Sequence, residues 1–307
     1  MKRGSSILLC FGAGLVCWAL TGLLGPGEPG QVVGEDLPQP SAMQIIPAVT
    51  PPGDVSTEDP TGTPDTLEIV NFSPAPSPSP EPTRAPDEAG VVAGPDYDFS
   101  QPVPETEPVE DGYFADAVFI GDSRTDGFRI FSGLEQGDYI VKTGLSVFKI
   151  ADERIKTDEG KFTVTEALER KEYSKIYVCL GLNELGMRND QGYYDHYADL
   201  IDLIRAARPE ATIYVQLLVP VNEQKRAESG VAEYVNNAQI DVYNGLLVQL
   251  AQEKHVFLTD PAQVIVEEET GQPAYDEVAD GVHFRKEPYQ RWLDYLRRHT
   301  AEKGEWE

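Results

Sequence analysis

Four short stretches of the chain set chemically able side chains beside glycine. Gly121-Asp122-Ser123-Arg124 places a hydroxyl just past a short apolar run, Ala117 to Ile120. A serine there lies at the mouth of a sheet, with its own N–H at a nascent helix N-terminus that favours developing negative charge. The same residues serve equally as a plain strand-to-helix turn, with Asp122 or Ser123 as the cap. Gly181-Leu182-Asn183-Glu184 follows a second apolar run, Lys175 to Leu180. Asn183 can offer its side-chain NH₂ to an oxyanion, or be an ordinary turn residue. Gly144 follows Tyr139-Ile140-Val141, and its N–H is a further candidate donor, although glycine ends many strands. Among four histidines (His196, His255, His283 and His299), only His283 has an acidic residue three positions earlier, Asp280. In one tight turn Asp280 can accept the Nδ1–H of His283 and leave Nε2 free to take a proton. A serine hydroxyl is a weak nucleophile without such a base beside it. Taken alone, the pair reads as readily as a surface Asp–His contact.

The elements that must position these groups are short apolar runs alternating with amphipathic ones. Ala117–Ile120, Tyr139–Val141, Lys175–Leu180, Thr212–Val219 and Val256–Leu258 read as buried strands, bounded by Gly or Pro. Tyr193–Ala207, Val231–Lys254 and Glu287–Arg298 carry apolar residues at helical spacing. Alternating strands and helices predict an α/β domain with a five-stranded parallel sheet covered on both faces. Reacting groups in such sheets gather at the carboxyl ends of the strands, where the serine and the two glycine-led loops fall.

In this order and after these elements, the four stretches resemble the SGNH, or GDSL-like, hydrolase family. The resemblance spans about Ala117 to Leu296. It implies a three-layer α/β/α, flavodoxin-like fold and a catalytic set of Ser123, Asp280 and His283. It also implies an oxyanion hole from the N–H groups of Ser123 and Gly144 with the Asn183 side chain. Two positions depart from the family pattern: Arg124 stands where leucine is usual, and Glu184 where aspartate is usual. Both are candidate substrate contacts. Arg124 could meet an anionic or sugar-hydroxyl group, or be solvated or salt-bridged; Glu184 could instead order its own loop.

The formal net charge is -27. Residues 26–110 hold 16 acidic residues against one basic, Arg84, and are rich in Pro, Gly, Ser and Thr. That composition buries too little apolar surface to offset its ordering entropy, so 26–110 is expected to be a disordered linker and 111–307 the folded domain. The acidity argues against nucleic acid as a partner. Lys2 and Arg3 precede an apolar run from Ile7 to Leu24, near the lower length limit for spanning a bilayer. Residues 1–25 are expected to act as a signal-anchor that leaves the domain outside the cell membrane; the alternative is secretion after cleavage. Cys179 is expected to be a small core residue, and Cys10 and Cys17 lie in the apolar run. No His/Cys cluster has ligand spacing, so no metal or cofactor is expected.

The expected activity is removal of small acyl groups, such as O-acetyl, from cell-wall or exported glycans. Transfer of the acyl group to a sugar hydroxyl, with the same residues, and a non-catalytic glycan-binding module are the alternatives.

Overall fold

The structure, a computed structural model, describes residues 91–92 and 97–302. The expected membrane segment and most of the expected linker lie outside these residues. In chain order the strands are β1 (Val91–Val92), β2 (Ala117–Gly121), β3 (Asp138–Val141), β4 (Ile155–Thr157), β5 (Gly160–Phe162), β6 (Lys175–Cys179), β7 (Thr212–Gln216), β8 (Phe257–Thr259) and β9 (Ala301–Glu302). The helices are α1 (Ser123–Phe131), α2 (Val164–Arg170), α3 (Asp190–Ala207), α4 (Glu223–Glu228), α5 (Asn237–Lys254), α6 (Ala262–Ile265) and α7 (Lys286–Arg298).

The five strands expected from the apolar runs form one parallel sheet in the order β3-β2-β6-β7-β8. Helices α1, α6 and α7 pack together, and α2, α3 and α5 form a second group. β2, β7 and β8 are buried at every position. Burial on both faces explains why these strands read as unbroken apolar runs instead of alternating ones.

One register line crosses the whole sheet. Tyr139, Phe119, Tyr177, Tyr214 and Phe257 are neighbours on successive strands. Their ring centroids stand 5.1, 5.0, 4.4 and 5.7 Å apart in that order. Phe128 of α1 lies 5.3 Å from Phe119 and 5.3 Å from Trp292 of α7. The indole N–H of Trp292 donates to Gln216 at 3.0 Å, giving a buried polar pair its partner. On the other face Tyr193 of α3 stacks on Tyr243 of α5 at 3.8 Å and donates to the Leu180 carbonyl.

The folded domain begins earlier than the expected boundary at 111. Phe99 and Val103 are buried, and Phe99 stacks on His255 with centroids 5.1 Å apart. The N–H groups of Val103, Thr106 and Val109 donate to the carbonyls of Leu258, Arg298 and Arg297. Residues 97–110 therefore form a strap along β8 and α7. Composition averaged over 26–110 hid the few apolar residues that hold it.

Two elements end short of their apolar pattern. The expected strand 212–219 stops at Gln216 because Asn244 of α5 takes over: its side chain accepts from Leu218 N–H at 2.7 Å and donates to Leu218 C=O at 2.9 Å. The expected helix from Val231 begins at Asn237, where Asn236 caps it by accepting from the Gln239 N–H. The β4–β5 hairpin and α2, whose Thr163 and Glu166 form a reciprocal cap, were not expected from the apolar pattern.

Phe119 has four aromatic neighbours at the centre of this packing, Phe114, Phe128, Tyr139 and Tyr177. Phe119→Ala should cost about 3–5 kcal/mol of stability, read as a lower urea midpoint with an unchanged slope.

Candidate active site

The three strands β3, β2 and β6 lie side by side, so the loops leaving their carboxyl ends are neighbours. These loops carry Gly144, Ser123 and Asn183. The chain leaves β2 for β3 on one side and returns to β6 on the other, which opens a crevice at the strand ends.

Ser123 is the first residue of α1 and is half-buried. Asp122 caps the helix by accepting from the Arg124 N–H at 2.9 Å. The turn is tight because Gly121 allows it: a Cβ there would fall 2.0 Å from Thr125 Oγ1 and 2.7 Å from the Cys179 carbonyl. The Asp280–His283 turn arrives from the far end of the sequence, just before α7. Ser123 Oγ lies 2.9 Å from His283 Nε2, and His283 Nδ1 lies 2.8 Å from Asp280 Oδ2. The other Asp280 oxygen accepts from the N–H groups of Val282 and His283 at 2.9 and 2.8 Å. Burial alone would raise the Asp280 carboxyl. The ring N–H and charge of His283 and the two backbone donors more than offset it and hold the group well below the usual carboxylate range. Hydroxyl, imidazole and carboxylate in one hydrogen-bonded line can pass a proton from Oγ to Nε2 while the ring stays oriented.

Gly144 is exposed, with φ +75°, a left-handed turn that glycine adopts without strain. Among the described residues, neither the Ser123 nor the Gly144 N–H donates to another group, which leaves both open to a ligand oxygen. Asn183 is differently placed. Its NH₂ donates to the Leu145 carbonyl at 2.9 Å and to Asp122 Oδ2 at 3.2 Å. The amide ties the Gly144 loop to the Ser123 turn.

The two candidate substrate contacts lie elsewhere. Arg124 is 2 % exposed, neither solvated nor turned into the crevice. Its guanidinium donates to the carbonyls of Val282, Val219 and Pro220. Glu184 is fully buried and accepts from the Val147 N–H at 2.6 Å, beneath the loop that carries Gly144. It orders a loop and has no surface to offer a substrate. Burial, with the nearby Asp122 charge adding to it, pushes its carboxyl up to about 7. Asp122 is itself buried and raised by desolvation, offset in part by the N–H and charge of Arg124. The sequence reading missed this buried polar layer. Its signal was present in the two departures from the family pattern, both charged residues beside glycine-led turns. Cys179 is buried, and burial pushes its thiol up to about 12, as fits a core residue.

Residues 119–291 match the model of the GDSL-like lipase/acylhydrolase family. The chain belongs to that family of ester-hydrolysing serine hydrolases. No curated protein matches the acylhydrolase. Among solved structures it is similar to a putative platelet activating factor from Streptococcus pneumonia, at 19% identity over 59% of this chain and 82% of that one, with a TM-score of 0.48. A GDSL-like lipase from Bacteroides thetaiotaomicron aligns at 14% identity over 62% and 89% of the two chains, TM-score 0.46. A Clostridium thermocellum family 3 carbohydrate esterase aligns at 17% identity over 59% and 92%, TM-score 0.42.

The Glu184 carboxyl gives the acylhydrolase a pH-dependent stability term. The unfolded chain ionises Glu184 near its ordinary value of 4.5, and the folded chain only near 7. Between these values the unfolded state binds fewer protons, so stability falls as pH rises. Glu184→Gln should remove that fall, on the order of 1–3 kcal/mol. Urea midpoints at pH 4.5, 6 and 8 check it: the gap between variant and parent should widen upward in favour of the variant.

Proposed function

We propose that the acylhydrolase is a serine esterase that removes small acyl groups, such as O-acetyl, from cell-wall or exported glycans. The observation that carries the reaction is the line from Ser123 Oγ through the His283 ring to Asp280, with contacts of 2.9 and 2.8 Å. His283 Nε2 takes the proton as Oγ attacks the ester carbonyl. The oxyanion is met by the N–H groups of Ser123 and Gly144, and by Asn183 once it releases Asp122. His283 then protonates the departing alcohol, and the acyl group stays on Ser123. Water activated by the same ring releases the acid. Asp280 holds the ring in the tautomer that this cycle needs.

The substrate class rests on the expected placement. An apolar N-terminal run behind Lys2 and Arg3, and a long Pro- and acid-rich stretch before the domain, support an anchored domain held outside the cell membrane. Such a domain meets surface glycans. A half-exposed nucleophile suits an ester carried on a polymer, which can lie across the crevice without entering a deep channel.

The test is hydrolysis of p-nitrophenyl acetate, then of acetylated glycans, by the full chain beside Ser123→Ala and Asp280→Asn. Ser123→Ala should fall to background, and Asp280→Asn should lose roughly 10⁴-fold in kcat. Equal turnover in the parent and Ser123→Ala would refute the reading. Acylated product formed faster than free acid in the presence of an acceptor glycan would reassign the site to transfer.

A further inference from the structure

We propose that Arg124 is a positioning residue that clamps the base-bearing turn onto the nucleophile turn and so sets the Ser123–His283 distance. The inference rests on the serine-esterase reading and extends it to a buried group that the reaction itself does not use.

Arg124 follows Ser123 directly, so its backbone moves with the nucleophile. Its side chain runs under the site to both neighbours of His283. Nε donates to the Val282 carbonyl at 2.9 Å, and the guanidinium carbon lies 4.5 Å from the centre of the Phe284 ring. Nη1 donates to the Val219 carbonyl and Nη2 to the Pro220 carbonyl at 3.2 Å, in the loop after β7. That loop is itself joined to the base turn, since the Asn222 N–H donates to the Gly281 carbonyl at 2.9 Å. One planar cation thus ties its own turn to two segments that the sequence keeps 95 and 158 residues from it. A planar fork with five donors can satisfy three carbonyls together; a lysine ammonium on a flexible stem holds them less rigidly.

Burying a guanidinium carries a large desolvation cost, and an apolar side chain of similar size avoids it. Stability alone therefore gives little reason for an arginine at this site. Placement of the imidazole does, because small misplacements of a reacting group cost rate steeply. The turn also has anchors that do not involve Arg124: Ala279 N–H donates to the His283 carbonyl at 2.8 Å, and Asp280 grips the ring. Loss of the clamp should loosen the turn and leave the fold.

The experiment compares Arg124→Lys and Arg124→Leu with the parent, as full chains and well below each melting temperature. kcat for p-nitrophenyl acetate should fall by roughly 10- to 100-fold in Arg124→Leu, with KM changed less than about threefold and Arg124→Lys in between. A second readout needs no turnover: the downfield Nδ1–H proton resonance of His283, sharp in the parent, should broaden or vanish in Arg124→Leu. A lowered melting temperature with kcat within about twofold and an unchanged resonance would overturn the proposal. So would variants that fail to fold altogether, since Arg124 would then be a requirement of the core. If Ser123→Ala turned over ester as fast as the parent, the esterase reading would fall, while the resonance would still report on the clamp.

Discussion

The pairing of β2 between β3 and β6 is the constraint on which the site depends. The strands run parallel and in register, so Gly121 lies opposite Val141 on one side and Cys179 on the other. That alignment ends all three strands at one level and sets the loops bearing Gly144, Ser123 and Asn183 side by side. A slip of one residue in β2 would turn its side chains to the opposite face, and the row from Tyr139 to Phe257 would break. The aromatic row resists this. Each ring has a partner on the next strand, and Tyr214 is further fixed by the backbone of Ala301, whose carbonyl accepts from its hydroxyl and whose N–H donates to it. Catalytic spacing is therefore a property of sheet register as much as of the loops.

Beneath the crevice lies a layer of buried polar groups, Asp122, Arg124, Glu184 and the half-buried Asn183. In an apolar interior each would be costly without partners. Here Asp122 is engaged by its own turn, through the Arg124 N–H, and the others by backbone of neighbouring loops: Val147 N–H on Glu184, Leu145 carbonyl on Asn183, and three carbonyls on Arg124. Loops at strand ends cannot use the sheet's own ladder. Side chains supply the missing bonds and convert several loops into one framework. Asn244 does the same for the end of β7.

The parts of this architecture legible in the sequence were those written locally. Buried parallel strands need apolar runs, and all five were placed. Asp280 and His283 could be paired because a three-residue spacing closes one turn. The strap at 97–110 was not legible, because a few anchors, Phe99 and Val103 among them, are diluted by acidic and proline-rich neighbours. The role of Arg124 and the full burial of Glu184 were not legible either, although ordering of its own loop was one of the two roles open to Glu184. Charged residues are usually exposed, and only tertiary contacts between distant segments reveal a buried one. The same is true of Asn183: sequence suggests a free amide, and the fold gives it two acceptors.

Those two acceptors bear on how the site responds to charge. In the resting arrangement the Asn183 amide bridges Leu145 and Asp122, so the Gly144 loop is held by a bond that reaches the nucleophile turn. Asp122 takes donors from two turns, the Asn183 amide at 3.2 Å and the Arg124 N–H at 2.9 Å. Burial raises its carboxyl, and the N–H and charge of Arg124 offset part of that rise. One buried carboxylate therefore joins the turns that end β2 and β6, and its charge is balanced by groups from both.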